Sequence, residues 1–149
     1  MIYNALAIAG SDPSGGAGIQ ADMKVFSAHK VYGMAAITAL TAQNTKGVSA
    51  IHTPSADFIV KQIRMVFADI RVDAIKVGMI ANAEIAEAVA VTLKEVKAKN
   101  IVLDPVMIAK GGACFIETNA TAPIKFACPL AHSRKGGWRA KYGALEFAI

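Results

Sequence analysis

The sequence predicts an α/β fold in which a mostly parallel sheet lies between layers of helices. Three observations carry that expectation. Short apolar runs alternate with segments of helical periodicity, a rhythm that calls for right-handed crossovers between parallel strands. A glycine-rich loop separates the first apolar run from the first helix-like segment. Apolar residues make up 54% of the 149 and charged residues 18%, with a mean hydropathy of +0.42. Strands covered on both faces account for such hydropathy without a membrane.

Residues 3–9 form a short apolar run ending at Gly10, which reads as a buried strand. Gly10-Ser-Asp-Pro-Ser-Gly-Gly-Ala-Gly18 follows, rich in residues that make tight turns. From Ile19 to about Lys30 the spacing of Ile19, Met23, Phe26 and Val31 predicts a helix. Residues 35–43 read as a second buried strand closed by Asn44, and residues 45–54 as loop or short extended structure around Gly47 and Pro54. Ser55 is a candidate N-cap for a helix to about Ala68, with Phe58, Ile59, Ile63, Val66 and Phe67 as its apolar stripe. Residues 74–80 form a third strand. Asn82 then caps a helix to about Lys99, with Glu84 early and Lys94, Lys97 and Lys99 late, as the helix dipole favours. Residues 100–104 make a fourth strand, stopped by Pro105. Beyond about residue 113 no period is sustained and no fifth strand is clear. The expected organisation is one α/β unit over residues 1–113 and a divergent tail over residues 114–149, poorly ordered or read in a shifted frame.

Charge excludes nucleic acid as the expected partner. Residues 1–123 carry eleven Lys and Arg against ten Asp and Glu, whereas residues 124–149 carry five against one. The net charge of +5 therefore belongs to the tail and not to a patterned face. No stretch approaches the roughly 18 apolar residues of a membrane span, and the first residues lack a basic leader, so neither a membrane partner nor secretion is expected. Cys114 and Cys128 form no CxxC pair, and with His29, His52 and His132 they build no local zinc-ligand cluster. A reducing, cytoplasmic setting is the expectation.

Ligands of open parallel sheets bind outside the carboxyl ends of the strands. Here those ends are Gly10-Ser11-Asp12, Gln43-Asn44, Lys76-Val77-Gly78-Met79 and Asp104-Pro105-Val106-Met107, which suit a small, flat, polar molecule. Gly16-Ala-Gly18-Ile-Gln-Ala21 fits a dinucleotide fingerprint, but the second strand ends without the acid that would hold a ribose. A Walker A loop is absent, because Gly10-x4-Gly15 is followed by Gly16 and Ala17. The loop alone fits either a ligand-contacting turn or a tight strand-to-helix connection. Singly, Asp22, Gln43, Met79, Asp104 and Met107 also have structural readings, as a solvated carboxylate, a loop partner, core filler or a turn former.

Taken in order, however, Ala-Ile-Ala-Gly10-Ser-Asp-Pro-Ser-Gly-Gly-Ala-Gly-Ile-Gln-Ala-Asp22, Ile37-Thr-Ala-Leu-Thr-Ala-Gln-Asn44-Thr-x-Gly47, Lys76-Val-Gly-Met79 and Val102-Leu-Asp-Pro-Val-Met107-x-Ala-Lys-x-Gly closely resemble the hydroxymethylpyrimidine/phosphomethylpyrimidine kinases of thiamine biosynthesis. The resemblance runs over residues 1 to about 113. It implies a ribokinase-like three-layer α/β/α fold, cut after about four core strands, and phosphorylation of a hydroxymethylpyrimidine and its monophosphate with ATP and Mg2+. It implies that Gln43 hydrogen-bonds the aminopyrimidine and that Gly10, Ala17, Asp22, Met79 and Val106 line the same pocket. A carboxamide, with both donor and acceptor, suits an amine beside a ring nitrogen. The resemblance also allows a homodimer, since full-length members of the family are commonly dimers.

The sequence departs from the family in two ways. Lys110-Gly111-Gly112 stands where Lys-Ser-Gly is usual, and the acidic residue that follows in the family is missing. The family's later Thr-Pro-Asn-x-x-Glu segment and Gly-Thr-Gly-rich anion-hole loop do not occur; Pro129-Leu-Ala-His132 resembles only the approach to the first. A shifted frame with early termination would produce this pattern. Phosphoryl transfer depends on that electrostatic machinery, so no catalytic residue is assigned and the chain alone is expected to be inactive. The competing readings are a non-catalytic pyrimidine-binding fragment, a pyridoxal kinase-like enzyme and a dinucleotide-dependent oxidoreductase half.

Overall fold

The computed structural model describes residues 1–104 of the chain. Val106, Met107, both cysteines and the expected tail over residues 114–149 lie outside the described residues. Within them the elements run β1 (Asn4–Gly10), α1 (Gly18–Ala28), β2 (Tyr32–Asn44), β3 (Gly47–His52), α2 (Ala56–Asp69), β4 (Ala74–Val77), α3 (Ala83–Glu95) and β5 (Ile101–Leu103). The sheet order is β3-β2-β1-β4-β5. β1 pairs in parallel with β2 and β4, and β4 with β5. The α/β class with a mostly parallel sheet is therefore as expected, four of its five strands running parallel.

One strand goes beyond the expectation. Residues 47–52 were expected as loop or short extended structure; they form β3, antiparallel to the end of β2. Asn44 Oδ1 accepts from the N–H of Lys46 at 2.9 Å and of Gly47 at 3.1 Å, and this side-chain-closed turn folds the ribbon back. Most of β3 is exposed, as are Leu40 and Ile51, so burial gives the strand no apolar signature in the sequence.

The two faces of the sheet differ in bulk. Leu6 and Ile8 of β1 join Ile75 and Val77 of β4 and Ile59, Ile63, Ile85, Val89 and Leu93 of α2 and α3 in the main core. Each such fully buried side chain contributes roughly 1.5–3 kcal/mol relative to exposure. The opposite face of β1 presents Ala5 and Ala7 to Phe26 of α1, so α1 lies close to the sheet. Phe58 departs from its expected place in the α2 stripe: it is 56% exposed, and Ile59 takes the buried position.

Ser55 and Asn82 cap as expected, their side chains accepting from Phe58 N and Ile85 N. α2 ends at Asp69, close to the expected Ala68, whereas α1 and α3 end earlier than expected. α3 stops at Glu95 because Lys97 turns left-handed, with φ 53°. Lys97 N donates to Lys94 O and Ala98 N to Leu93 O, a Schellman closure. α1 ends in the same way, with Lys30 at φ 58° and Val31 N donating to Phe26 O.

Among the described residues, no strand pairs with the outer side of β2 along residues 32–37. There Gln62 of α2 acts as a surrogate strand: its Oε1 accepts from Ile37 N at 2.9 Å and its Nε2 donates to Ile37 O at 3.1 Å.

Two predictions follow from these caps. Gln62→Leu leaves both Ile37 backbone groups unpaired and lowers unfolding free energy by about 2 kcal/mol, measured by urea denaturation. Lys97→Gly relieves an exposed left-handed side chain and raises it by about 1 kcal/mol, measured in the same way.

Candidate substrate site at the strand ends

Strand order fixes where a ligand can enter. The chain leaves β1 through α1 toward β2, then passes over β1 to reach β4 and continues outward to β5. Connections diverge between β1 and β4, and the crevice at their carboxyl ends is the topological switch point.

The loop after β1 is organised by its own side chains. Asp12 Oδ1 accepts from Ser14 N at 2.9 Å and Ser14 Oγ at 2.7 Å. Its Oδ2 accepts from Gly16 N at 3.1 Å and Ala17 N at 2.8 Å. Gln20 Oε1 accepts from Asp12 N, and Lys24 Nζ donates to Gly15 O. The loop then presses α1 onto the strand end. Gly18 has φ 56°, and a Cβ there would collide with the Gly10 carbonyl oxygen. Burial raises the Asp12 carboxyl, but the Ser14 hydroxyl and the N–H groups of Ser14, Gly16 and Ala17 together hold it below the ordinary aspartate value of 3.8.

One turn into α1, Asp22 is buried against Lys76 of β4, whose Nζ lies 3.2 Å from a carboxylate oxygen. Asp104, just past β5, approaches the same ammonium at 3.8 Å. Burial pushes the Asp22 carboxyl above 3.8; its attraction to Lys76 and their hydrogen bond oppose that, and repulsion from Asp104 adds to it.

Of the residues expected from the sequence, Gly10, Met79 and Asp22 gather at this crevice. A Cβ on Gly10 would sit 3.0 Å from Met79 Cε, so the two are in contact across β1 and β4. Thr38 Oγ1 donates to Met79 O at 2.6 Å and holds that strand end to β2. Ala17 is exposed beside Gly18, but its backbone is committed: its N–H goes to Asp12 and its carbonyl accepts from Ala21 N. It can offer a ligand its methyl group. Gln43 sits farther along, at the β2 bulge, where it lines an open recess of about 560 Å3 with Pro13, Asn44, Lys46 and Val48. Thr41 Oγ1 donates to Ser11 O at 2.8 Å and stands 3.3 Å from Gln43 Oε1. Its single hydrogen serves the shorter bond, so the Gln43 carboxamide is only loosely held. Val106 lies outside the described residues.

Asp12 and Lys76 had no assigned role from the sequence. A lysine inside the strand Ala74–Val77, flanked by Ile75 and Val77, was the available signal. Among the described residues no cluster of three or more His, Cys, Asp or Glu side chains could hold a metal ion. The ammonium of Lys76 fills the place between Asp22 and Asp104 that a cation would take, so these residues do not fit magnesium. No described helix is long and apolar enough to cross a membrane.

This α/β arrangement, with a glycine loop folded over the switch point, is shared with solved ribokinase-like small-molecule kinases. The phosphomethylpyrimidine kinase family model matches residues 12–132, and the chain belongs to that family. It is 51% identical over 122 residues to the hydroxymethylpyrimidine/phosphomethylpyrimidine kinase of Escherichia coli K12, covering 82% of this chain and 46% of that protein. The Bacillus subtilis protein of the same name is 50% identical over 124 residues, covering 83% and 46%. The crystal structure of a phosphomethylpyrimidine kinase from Clostridium difficile superposes with a TM-score of 0.79 at 49% identity, covering 87% of this chain and 56% of that one. A Staphylococcus aureus pyridoxal kinase in complex with AMP-PCP and pyridoxal superposes at 0.64 with 36% identity, covering 72% and 40%. The chain thus spans about half the length of the curated relatives it matches.

Asp12→Asn exchanges one acceptor oxygen for an amide facing N–H groups, and lowers stability near neutral pH by about 1–2 kcal/mol. Because the folded Asp12 value is depressed, wild-type advantage is full above 3.8 and shrinks as pH falls through that lower folded value. Urea denaturation of both proteins across acid pH measures it.

Proposed function

We propose that residues 1–113 form the pyrimidine-side half of a hydroxymethylpyrimidine/phosphomethylpyrimidine kinase acting in thiamine biosynthesis, with residues 114–149 as a divergent tail. The observation that carries this reading is the contact of Gly10 with Met79 at the β1–β4 switch point, beside the buried Asp22. A small residue and a thioether side by side, with a carboxylate at the edge, make an apolar floor that suits one face of a flat amino-substituted ring. Gln43 supplies the directed hydrogen bonds to amine and ring nitrogen, while Ala17 and Val106 supply apolar contacts.

These residues bind and orient; they leave the 5-hydroxymethyl oxygen to receive a phosphoryl group. ATP and Mg2+ would supply that group and neutralise its charge when bound, and the described residues do not fit the metal. The cytoplasm is the expected compartment, a homodimer the expected assembly, and neither membrane nor nucleic acid a partner.

Isothermal calorimetry of the 149-residue chain with 4-amino-5-hydroxymethyl-2-methylpyrimidine tests the reading. Saturable binding is expected, weakened about tenfold by Gln43→Leu, with no turnover of ATP and Mg2+ by the chain alone. Preference for pyridoxal over the pyrimidine would move the assignment to the neighbouring kinase class. Sustained turnover would mean that residues of this chain replace the missing anion-hole loop.

A further inference from the structure

Lys76 is a charged residue between Ile75 and Val77, both fully buried, and the proposed function leaves it without a role. Its side chain is 8% exposed and that of Asp22 is 5%. The ammonium donates to Asp22 Oδ2 at 3.2 Å and lies 3.2 Å from Oδ1, so it addresses both oxygens. Among the described residues, the charged groups that bear on Asp22 are Lys76 from β4 and Asp104 from the end of β5. Lys24, on the same helix as Asp22, is held instead by Gly15 O. A Cβ on Gly78 would stand 2.8 Å from Lys76 Nζ and 2.9 Å from Ala9 Cβ. Glycine at that position leaves the space in which the ammonium sits.

We propose that Lys76 is the positioning residue of the pyrimidine pocket, clamping both oxygens of Asp22 so that an ionised, fixed carboxylate meets the amino group of the ligand. The ligand in this inference rests on the proposed function, whereas the coupling of Lys76 to Asp22 rests on geometry alone. A buried carboxylate that loses its counter-ion takes up a proton instead of staying charged. A protonated Asp22 has lost acceptor capacity and gained a donor, the wrong match for an amine. The clamp still leaves lone pairs for the ligand, because an ionised carboxylate offers about four acceptor sites and Lys76 engages two of them. Asp104, more exposed and farther from Nζ, shares the ammonium without displacing it.

A double-mutant cycle separates positioning from plain structural support. Calorimetry with the aminopyrimidine is run on wild type, Lys76→Met, Asp22→Asn and the double variant, and the Asp22 carboxyl is titrated by carbon-13 NMR in wild type and Lys76→Met. The dissociation constant is expected to rise on the order of tenfold in Lys76→Met and to change little when that substitution is added to Asp22→Asn. The Asp22 midpoint is expected to move up in Lys76→Met. Equal losses in both backgrounds, or an unmoved midpoint, overturn the proposal. If Lys76→Met does not fold, Gly78→Ala, which crowds the ammonium without deleting it, is expected to shift affinity and midpoint in the same directions, and no shift in either overturns it. Absence of pyrimidine binding in wild type would sink the proposed function and, with it, the ligand named here. The NMR titration would then decide the Lys76–Asp22 coupling by itself.

Discussion

The α1-facing side of the two central strands is built almost entirely from small residues: Ala5, Ala7 and Ala9 on β1, and Ala74 on β4 with Gly78 just past its end, flanking Lys76. The opposite side carries Leu6, Ile8, Ile75 and Val77. A sheet with one thin face and one thick face draws α1 in close, and close approach has consequences at both ends of the helix. At its start, Gly18 packs against the Gly10 carbonyl, which closes the glycine loop over the switch point. Along its length, the gap left by the small side chains is wide enough for one lysine stem. Larger residues at Ala9 or Gly78 would remove that gap, and with it the ion pair that ties α1 to β4.

Two aspartates on the same loop and helix then occupy opposite electrostatic environments. Asp12 accepts four hydrogen bonds from its own loop, and its carboxyl is held low. Asp22 faces a single buried ammonium, and burial wins, so its carboxyl is pushed high. The first carboxylate is satisfied locally and can serve only the loop. The second depends on a residue 54 positions away, so its state reports on tertiary structure. Deleting either member of such a buried pair strands a charge, at a cost of about 3–5 kcal/mol. That coupling makes the docking of α1 and the end of β4 one unit.

Periodicity and capping residues carried much of this fold in the sequence. The positions of β1, β2, β4 and β5 were legible as apolar runs covered on both faces and those of α1, α2 and α3 from helical spacing, and Ser55 and Asn82 mark helix starts by chemistry that survives in any context. The end of α2 was legible to within a residue, but the ends of α1 and α3 were not. Lys30 and Lys97 adopt the left-handed conformation that glycine or asparagine would have advertised. β3 was left open between loop and short extended structure because its exposed residues show no alternation, and the Asn44 turn was read as a stop instead of a hairpin. For the site, the strand-end residues could be picked out, but their convergence could not. Gly10 meets Met79 only because the order β3-β2-β1-β4-β5 places β4 beside β1, and strand order is not written in any local pattern.

The glycine loop shows why a motif needs its hydrogen-bond partners before it means anything. In its sequence, Gly16-Ala-Gly18 fits a turn whose N–H groups would cradle a pyrophosphate at a helix start. In the folded chain the N–H groups of Gly16 and Ala17 are already taken by the Asp12 carboxylate. An internal anion stands where an external one would have to bind, and its low carboxyl value keeps it charged near neutral pH. A phosphate entering there would meet a like charge instead of free donors. The dinucleotide reading therefore fails twice, at the ribose for want of an acid on β2 and at the phosphate because an acid is present. What the loop leaves exposed at that point is the Ala17 methyl group and not a free N–H for a nucleotide phosphate.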